Sequence, residues 1–207
     1  QPACAKEDSL SLLISDFESA ELKFDIYRRG QEGDRTAQGL LPDNSPEAAE
    51  AAELRRTQFL SRHAALSMVP MNDTDRMNYD LLGFVLTQRQ RLAPFDEARI
   101  PFMNDSGFFN ELSFVVRQTD FKTVEDYEAY AARLTRLPRF FAQAEENMRR
   151  GIRDGFTASA IILPGIQDMI DDMAEASAES HPLYAPFKSL PETMTGAEQT
   201  RLRALGK

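Results

Sequence analysis

An all-α fold is predicted by three features of the 207-residue sequence. Apolar residues recur every three to four positions through most of the chain. Helix-capping residues stand ahead of several of these runs, and proline- or glycine-bearing gaps separate them. The pattern implies about six to eight helices in an irregular array with one long phenylalanine-rich loop, gathered into a single helical domain over residues 1–207.

Leu10, Leu13, Ile14, Phe17 and Phe24 mark one face of a first helix from about Asp8 to Arg29. A polar, glycine-bearing stretch follows to Asn44. Ser45-Pro46-Glu47 then opens a second helix with a cap, a proline in the first turn and an early acidic residue. It extends to about Met68 and is expected to bury Ala52, Phe59, Leu60 and His63. Asn72–Asp75 starts a third helix that ends before Pro94, with Met77, Leu81, Phe84 and Val85 inward.

Between Pro94 and Phe121 lie six of the fourteen phenylalanines, two prolines and the turn-forming run Asn104-Asp105-Ser106-Gly107. This reads as a long non-helical connection, a kind of segment that is often functional. Thr123-x-x-Asp126 matches a capping box and begins the longest helical signal, with Val124, Tyr127, Ala131, Leu134, Phe141, Met148 and Ile152 inward. Pro138 should interrupt it. A helix from about Leu163 to Ala178 buries Ile162, Ile166, Met169, Ile170 and Met173. The last helix begins near Thr195 and reaches Lys207 without a glycine or proline stop before Gly206, so it reads as cut rather than finished.

Composition narrows the function. With 33 acidic against 24 basic residues the formal charge is −9. No lysine–arginine cluster is available to displace counterions from phosphates, so nucleic acid and anionic lipid are disfavoured partners. No run of 18 apolar residues exists, and a transmembrane segment is not expected. The amino terminus has neither a basic n-region nor an apolar h-region. Cys4, in Gln-Pro-Ala-Cys-Ala, is a candidate for lipid attachment. Ala3 suits lipoprotein processing, Gln1 and Pro2 do not, and the alternative is a free thiol on a frayed terminus.

Catalytic signatures are missing. There is no H-E-x-x-H, C-x-x-C, G-x-S-x-G, S-x-x-K or phosphate-binding glycine loop. His63 and His181 are the two histidines and Cys4 the lone cysteine, a poor supply for zinc, which takes three or four convergent ligands. Asp168, Asp171, Asp172 and Glu175 share one helical stripe, opposite the apolar residues, and read as a solvated face. No catalytic or metal residue is assigned, and no cofactor is expected in this chain. The best interaction candidate is the loop Asn104-Asp105-Ser106-Gly107-Phe108-Phe109, whose amide, carboxylate, hydroxyl and aromatic groups could line a peptide groove.

Several separated motifs resemble one bacterial family. They are Asn78-Tyr79-Asp80-Leu81-Leu82; Thr123-Val124-Glu125-Asp126-Tyr127-Glu128-Ala129-Tyr130 with Arg133-Leu134 and Leu137-Pro138; Met148-Arg149-Arg150-Gly151-Ile152-Arg153-Asp154-Gly155; and Pro182-Leu183-Tyr184-Ala185-Pro186-Phe187. Together they are similar to the family catalogued as domain of unknown function 885. The resemblance implies an exported helical protein longer than this chain, periplasmic or lipid-anchored to the outer envelope and related to zinc peptidases. In those enzymes two histidines and a downstream glutamate bind zinc, and the motif glutamate activates water. None of those positions occurs here, so this chain alone is expected to be inactive, with zinc and any metallopeptidase activity belonging to the longer parent. The implied role is scaffold and one wall of a substrate channel, attached to Asn104, Asp105, Ser106, Phe108 and Phe109. The implied partners are the missing carboxy-terminal portion and a peptide substrate. The rival expectation is a self-standing helical module that binds peptide or protein without catalysis.

Overall fold

The computed structural model describes residues 9–117 and 119–207, which are all-α with no strand among them. In chain order the helices are α1 (Leu10–Phe24), α2 (Ile26–Gln31), α3 (Arg35–Gln38), α4 (Pro46–Ala65), α5 (Asp73–Leu92), α6 (Glu111–Arg117), α7 (Val124–Leu134), α8 (Leu137–Asp154), α9 (Leu163–Glu175), α10 (Ala185–Lys188) and α11 (Gly196–Leu205). Four of these have seven residues or fewer, and the seven longer ones correspond to the array expected from periodicity. None of the helices is long and apolar enough to cross a membrane.

The helices gather into two compact units. One joins the described residues through Phe24 to Ser45–Asp96, and the other joins Asp25–Asn44 to Glu97–Lys207. Asp25 marks the first division. Its carboxylate accepts from Arg28 N at 3.0 Å and caps a new helix, so the first helix stops at Phe24 instead of continuing to Arg29.

In the first unit Leu13, Leu66, Leu82 and Leu86 form a core with Leu10, Ile14, Phe17, Phe59, Leu60, Met71 and Tyr79 packed on it. Ser45 Oγ accepts from Ala48 N at the start of α4, and Asn72 Oδ1 accepts from Asp75 N at the start of α5. The buried face of α5 corrects the sequence reading. Tyr79, Leu82 and Leu86 face the core, whereas Met77, Leu81 and Phe84 are each about 60% exposed. The helix is apolar on two sides, and periodicity does not choose between them. The choice is made at His63, which stacks on Tyr79 at 3.9 Å and bonds through Nε2 to Tyr79 O at 2.8 Å. A Cβ on residue 83 would come within 2.6 Å of the His63 ring, so Gly83 fixes this face against α4.

The second unit is built around Leu112, Tyr127, Tyr130, Ala131, Tyr184, Phe187, Met194 and Leu202. The Phe187 ring lies 5.6–5.8 Å from those of Tyr127, Tyr130 and Tyr184, within the range of favourable aromatic pairs. Two hydroxyls of this core are satisfied: Tyr130 donates to Leu183 O at 2.8 Å and Tyr184 to Arg203 O at 3.1 Å. At the start of α7, Asp126 accepts from Thr123 N at 2.8 Å, the bond the capping pattern predicts. Thr195 and Glu198 form a second box ahead of α11. The chain breaks at Thr135–Arg136, and Pro138 stands in the first turn of α8, where a missing N–H costs nothing.

Two more expectations change here. The inward face of α8 is Phe140, Ala144, Asn147 and Gly151, while Phe141 and Ile152 are exposed. The connection from Pro94 to Phe121 holds 3₁₀ turns at Ala93–Phe95 and Glu97–Arg99 and the seven-residue α6. That helix is too short for apolar periodicity to declare it. On α9, by contrast, Ile166 is buried with Met169, Ile170 and Met173 partly so, and the four carboxylates of the acidic stripe are exposed.

Candidate functional site

A cleft of about 460 Å³ opens within the second unit, lined on one side by Ile100–Met103 and Ser106–Phe108 and on the other by Asn44, Ala144 and Asn147, with Glu97 and Glu111 contributing carboxylates. The first wall is a tight hairpin. Phe102 and Gly107 form an antiparallel bridge, Met103 N donates to Ser106 O at 2.7 Å, and Phe108 N donates to Pro101 O at 3.0 Å. Glycine is required at 107, because a Cβ there would lie 2.5 Å from Phe102 Cβ and 2.7 Å from Pro101 O. Asn110 pins the turn from below: its Oδ1 accepts from Gly107 N, and its amide donates to Asp105 O.

This geometry separates the five groove candidates. Ser106 and Phe108 line the cleft. Asn104 and Asp105 occupy the exposed hairpin tip, outside the lining, where Asp105 Oδ1 accepts from Ser106 Oγ at 3.3 Å. Phe109 is 6% exposed and turned into the interior, in the turn that leads from the bridge residue Gly107 into α6. Phe108 stacks edge-on between Phe109 and Phe141, each centroid 5.7 Å away, and this holds its ring at the cleft wall.

The opposite wall rests on Asn147, which is 1% exposed. Its Nδ2 donates to Asn44 O at 2.7 Å, and its Oδ1 accepts from Arg150 Nη1 at 2.7 Å. Gln143 supports the same segment, accepting from Asn44 N and donating to Asp43 Oδ1. Residues 43 and 44 are therefore held on α8 by the buried amide of Asn147 and the half-buried amide of Gln143, which is why the face of that helix carries an asparagine instead of another apolar residue.

Glu111 is the chemically distinctive group of the cleft. Burial pushes its carboxyl above the usual carboxylate range, opposed by the neighbouring Tyr27 hydroxyl. The same burial, with the Glu111 charge beside it, pushes the Tyr27 phenol up. The hydroxyl stops short of hydrogen-bond geometry with that carboxyl. Sequence reasoning missed Glu111, Asn147 and Asn44. The one available signal was a polar Asn147 in register with Phe140 and Ala144.

Among the described residues no three His, Cys, Asp or Glu side chains converge as a metal site requires. His63 is committed to Tyr79 O, and His181 Nδ1 accepts from Leu183 N at 3.1 Å in a partly buried setting that lowers its pKa. These donors do not fit a zinc centre. Cys4 lies outside the described residues.

The sequence profile of a bacterial family of unknown function, DUF885, matches residues 28–207. The chain belongs to that family. The match takes in the whole cleft. No curated protein and no solved structure matches the chain.

Proposed function

We propose that this chain is the non-catalytic helical portion of a longer, exported DUF885 protein related to zinc peptidases. In this reading it supplies scaffold and one wall of a peptide-binding channel, while zinc and its ligands belong to the remainder of the protein. The observation that supports the wall is the cleft itself. Phe102, Met103 and Phe108 offer apolar surface, and Asn44, Ser106, Asn147 and Glu111 offer a few polar groups at its edges, the mixture that suits a peptide side chain and backbone. Support for a covering partner comes from α5, where Met77, Leu81 and Phe84 form an exposed apolar stripe at i, i+4, i+7 spacing.

Photo-crosslinking tests the cleft. A peptide library carrying a diazirine should label the 102–108 hairpin, and Phe108→Ser should reduce labelling severalfold without unfolding the unit. Labelling that ignores Phe108 removes the cleft from the proposal. A reading frame that closes directly after Lys207 would sink the larger-protein reading and leave a self-standing peptide-binding module. Export with lipid attachment at Cys4 predicts palmitate incorporation in cells that Cys4→Ser abolishes; unlabelled wild-type protein would reject it.

A further inference from the structure

The cleft of the second unit carries charge of one sign. Glu97 and Glu111 are among its lining residues, and no lysine, arginine or histidine is. Other carboxylates of this unit are answered by cations: Asp154 by Arg99 at 3.1 Å, Asp43 by Arg139 at 3.0 Å and Glu128 by Arg201 at 2.7 Å. No lysine or arginine among the described residues forms an ion pair with Glu97 or Glu111. Arg150, whose Nη1 donates to Asn147 at 2.7 Å, does not line the cleft.

The unpaired charge is open to an occupant. Glu111 is half-buried and accepts no hydrogen bond from the described residues, yet its oxygens are not sealed from solvent. Tyr27, Gln38 and Arg133 line a second cavity of this unit, about 130 Å³, where the opposite holds. Their unpaired atoms (the Tyr27 hydroxyl, Gln38 Oε1 and Arg133 Nε) are enclosed, so nothing that enters that cavity reaches them.

The rest of the cleft selects the kind of cation. Ile100, Phe102, Met103 and Phe108 give it apolar and aromatic walls. Such walls cover the methylene stem of a long basic side chain, and ring faces attract its charged head. An amino terminus carries its charge beside the backbone and would leave those walls bare. A metal ion finds no third His, Cys, Asp or Glu converging with the two carboxylates among the described residues. The volume of about 460 Å³ is enough for one side chain with its flanking backbone.

We infer that the cleft selects a basic side chain, the lysine ammonium or arginine guanidinium of a bound peptide, with Glu111 and Glu97 as counter-charges and the apolar walls around its stem. This rests on the reading of the cleft as a peptide wall and adds which residue that wall accepts. Burial already raises the pKa of Glu111, and a cation brought beside it restores the carboxylate.

The test is calorimetry of this chain with blocked tripeptides, acetyl-Gly-X-Gly-amide, where X is lysine, arginine, norleucine or glutamate, and with Gly-norleucine-Gly-amide bearing a free amino terminus. The lysine and arginine peptides should bind about tenfold more tightly than blocked norleucine, and the glutamate peptide should not bind. Glu111→Gln should remove most of that preference. Glu175→Gln removes the same charge from the solvated face of α9 and should leave the preference intact, which separates the cleft from the general pull of a chain with charge −9. Equal binding of lysine and norleucine peptides, or equal losses in the two variants, overturns the inference and leaves the peptide wall standing. Tighter binding of the free-terminus peptide than of the lysine peptide overturns the side-chain assignment. Failure of every peptide to bind removes the peptide wall itself and this inference with it.

Discussion

Asn147→Ala removes two 2.7 Å hydrogen bonds, one that ties Asn44 O to α8 and one within α8 from Arg150. Asn147 is 1% exposed, so the substitution also leaves a small void and two polar partners facing an apolar methyl group. Unmaking buried hydrogen bonds of this kind costs about 1–3 kcal/mol. For a chain of this size that corresponds to a fall in melting temperature of about 2–12 °C. Arg139→Ala is the proper control, because it removes a neighbouring bond to Asp43 at 3.0 Å whose arginine side chain is 73% exposed. Such surface pairs contribute between nothing and about 1 kcal/mol. Differential scanning fluorimetry with amide hydrogen exchange along α8 reads both effects. Exchange should accelerate at residues 43–44 in the Asn147 variant alone. If Asn147→Ala melts within 1 °C of Arg139→Ala, the buried amide is not what holds the cleft wall, and the account of that wall fails.

Two glycine substitutions should move stability in opposite directions. Gly107→Ala forces Phe102 and Pro101 away from a Cβ at 2.5–2.7 Å and should cost about 1–3 kcal/mol. Gly165→Ala, in the first turn of α9 with nothing within 4 Å of the added carbon, should gain about 0.5–1 kcal/mol; chemical denaturation of both variants checks the pair, and equal signs would contradict it. Glu111→Gln should stabilise at neutral pH and make little difference near pH 4. Burial raises the folded-state pKa of Glu111 above its ordinary 4.5, so the native state holds the proton longer than the unfolded chain and stability falls as pH rises through that window. Melting curves of wild type and variant that run parallel from pH 4 to pH 8 would refute the assignment.

Local signals carried most of the fold. Ser45-Pro46, Asn72, Thr123 with Asp126, and Thr195 announce their helices because a cap is a contact between residues two or three apart, and sequence order alone brings such residues together. The faces of α5 and α8 were not legible in the same way. Each carries apolar residues on two sides, and the decision rests with a distant group: His63 against Gly83 for α5, and Asn44 against Asn147 for α8. The short α6 escaped notice because seven residues make only two turns.

The same distinction governs the two cavities. The hairpin at 102–108 could be suspected from composition, since Asn-Asp-Ser-Gly between phenylalanines forms a turn wherever it occurs. Which of its residues face the cleft depends on the Phe102–Gly107 bridge, and that pairing turns Phe109 inward and leaves Asn104 and Asp105 at the tip. Tyr27, Gln38 and Arg133 had no such signal. Each looks ordinary on its own helix: Tyr27 on α2 and Gln38 on α3 lie eleven positions apart, and Arg133 on α7 is nearly a hundred further along. A helical-period reading treats an arginine as a marker of the solvent face, so Arg133 would be turned outward. In the structure it is the only arginine among the described residues that is nearly fully buried, and the unpaired atoms collect around it.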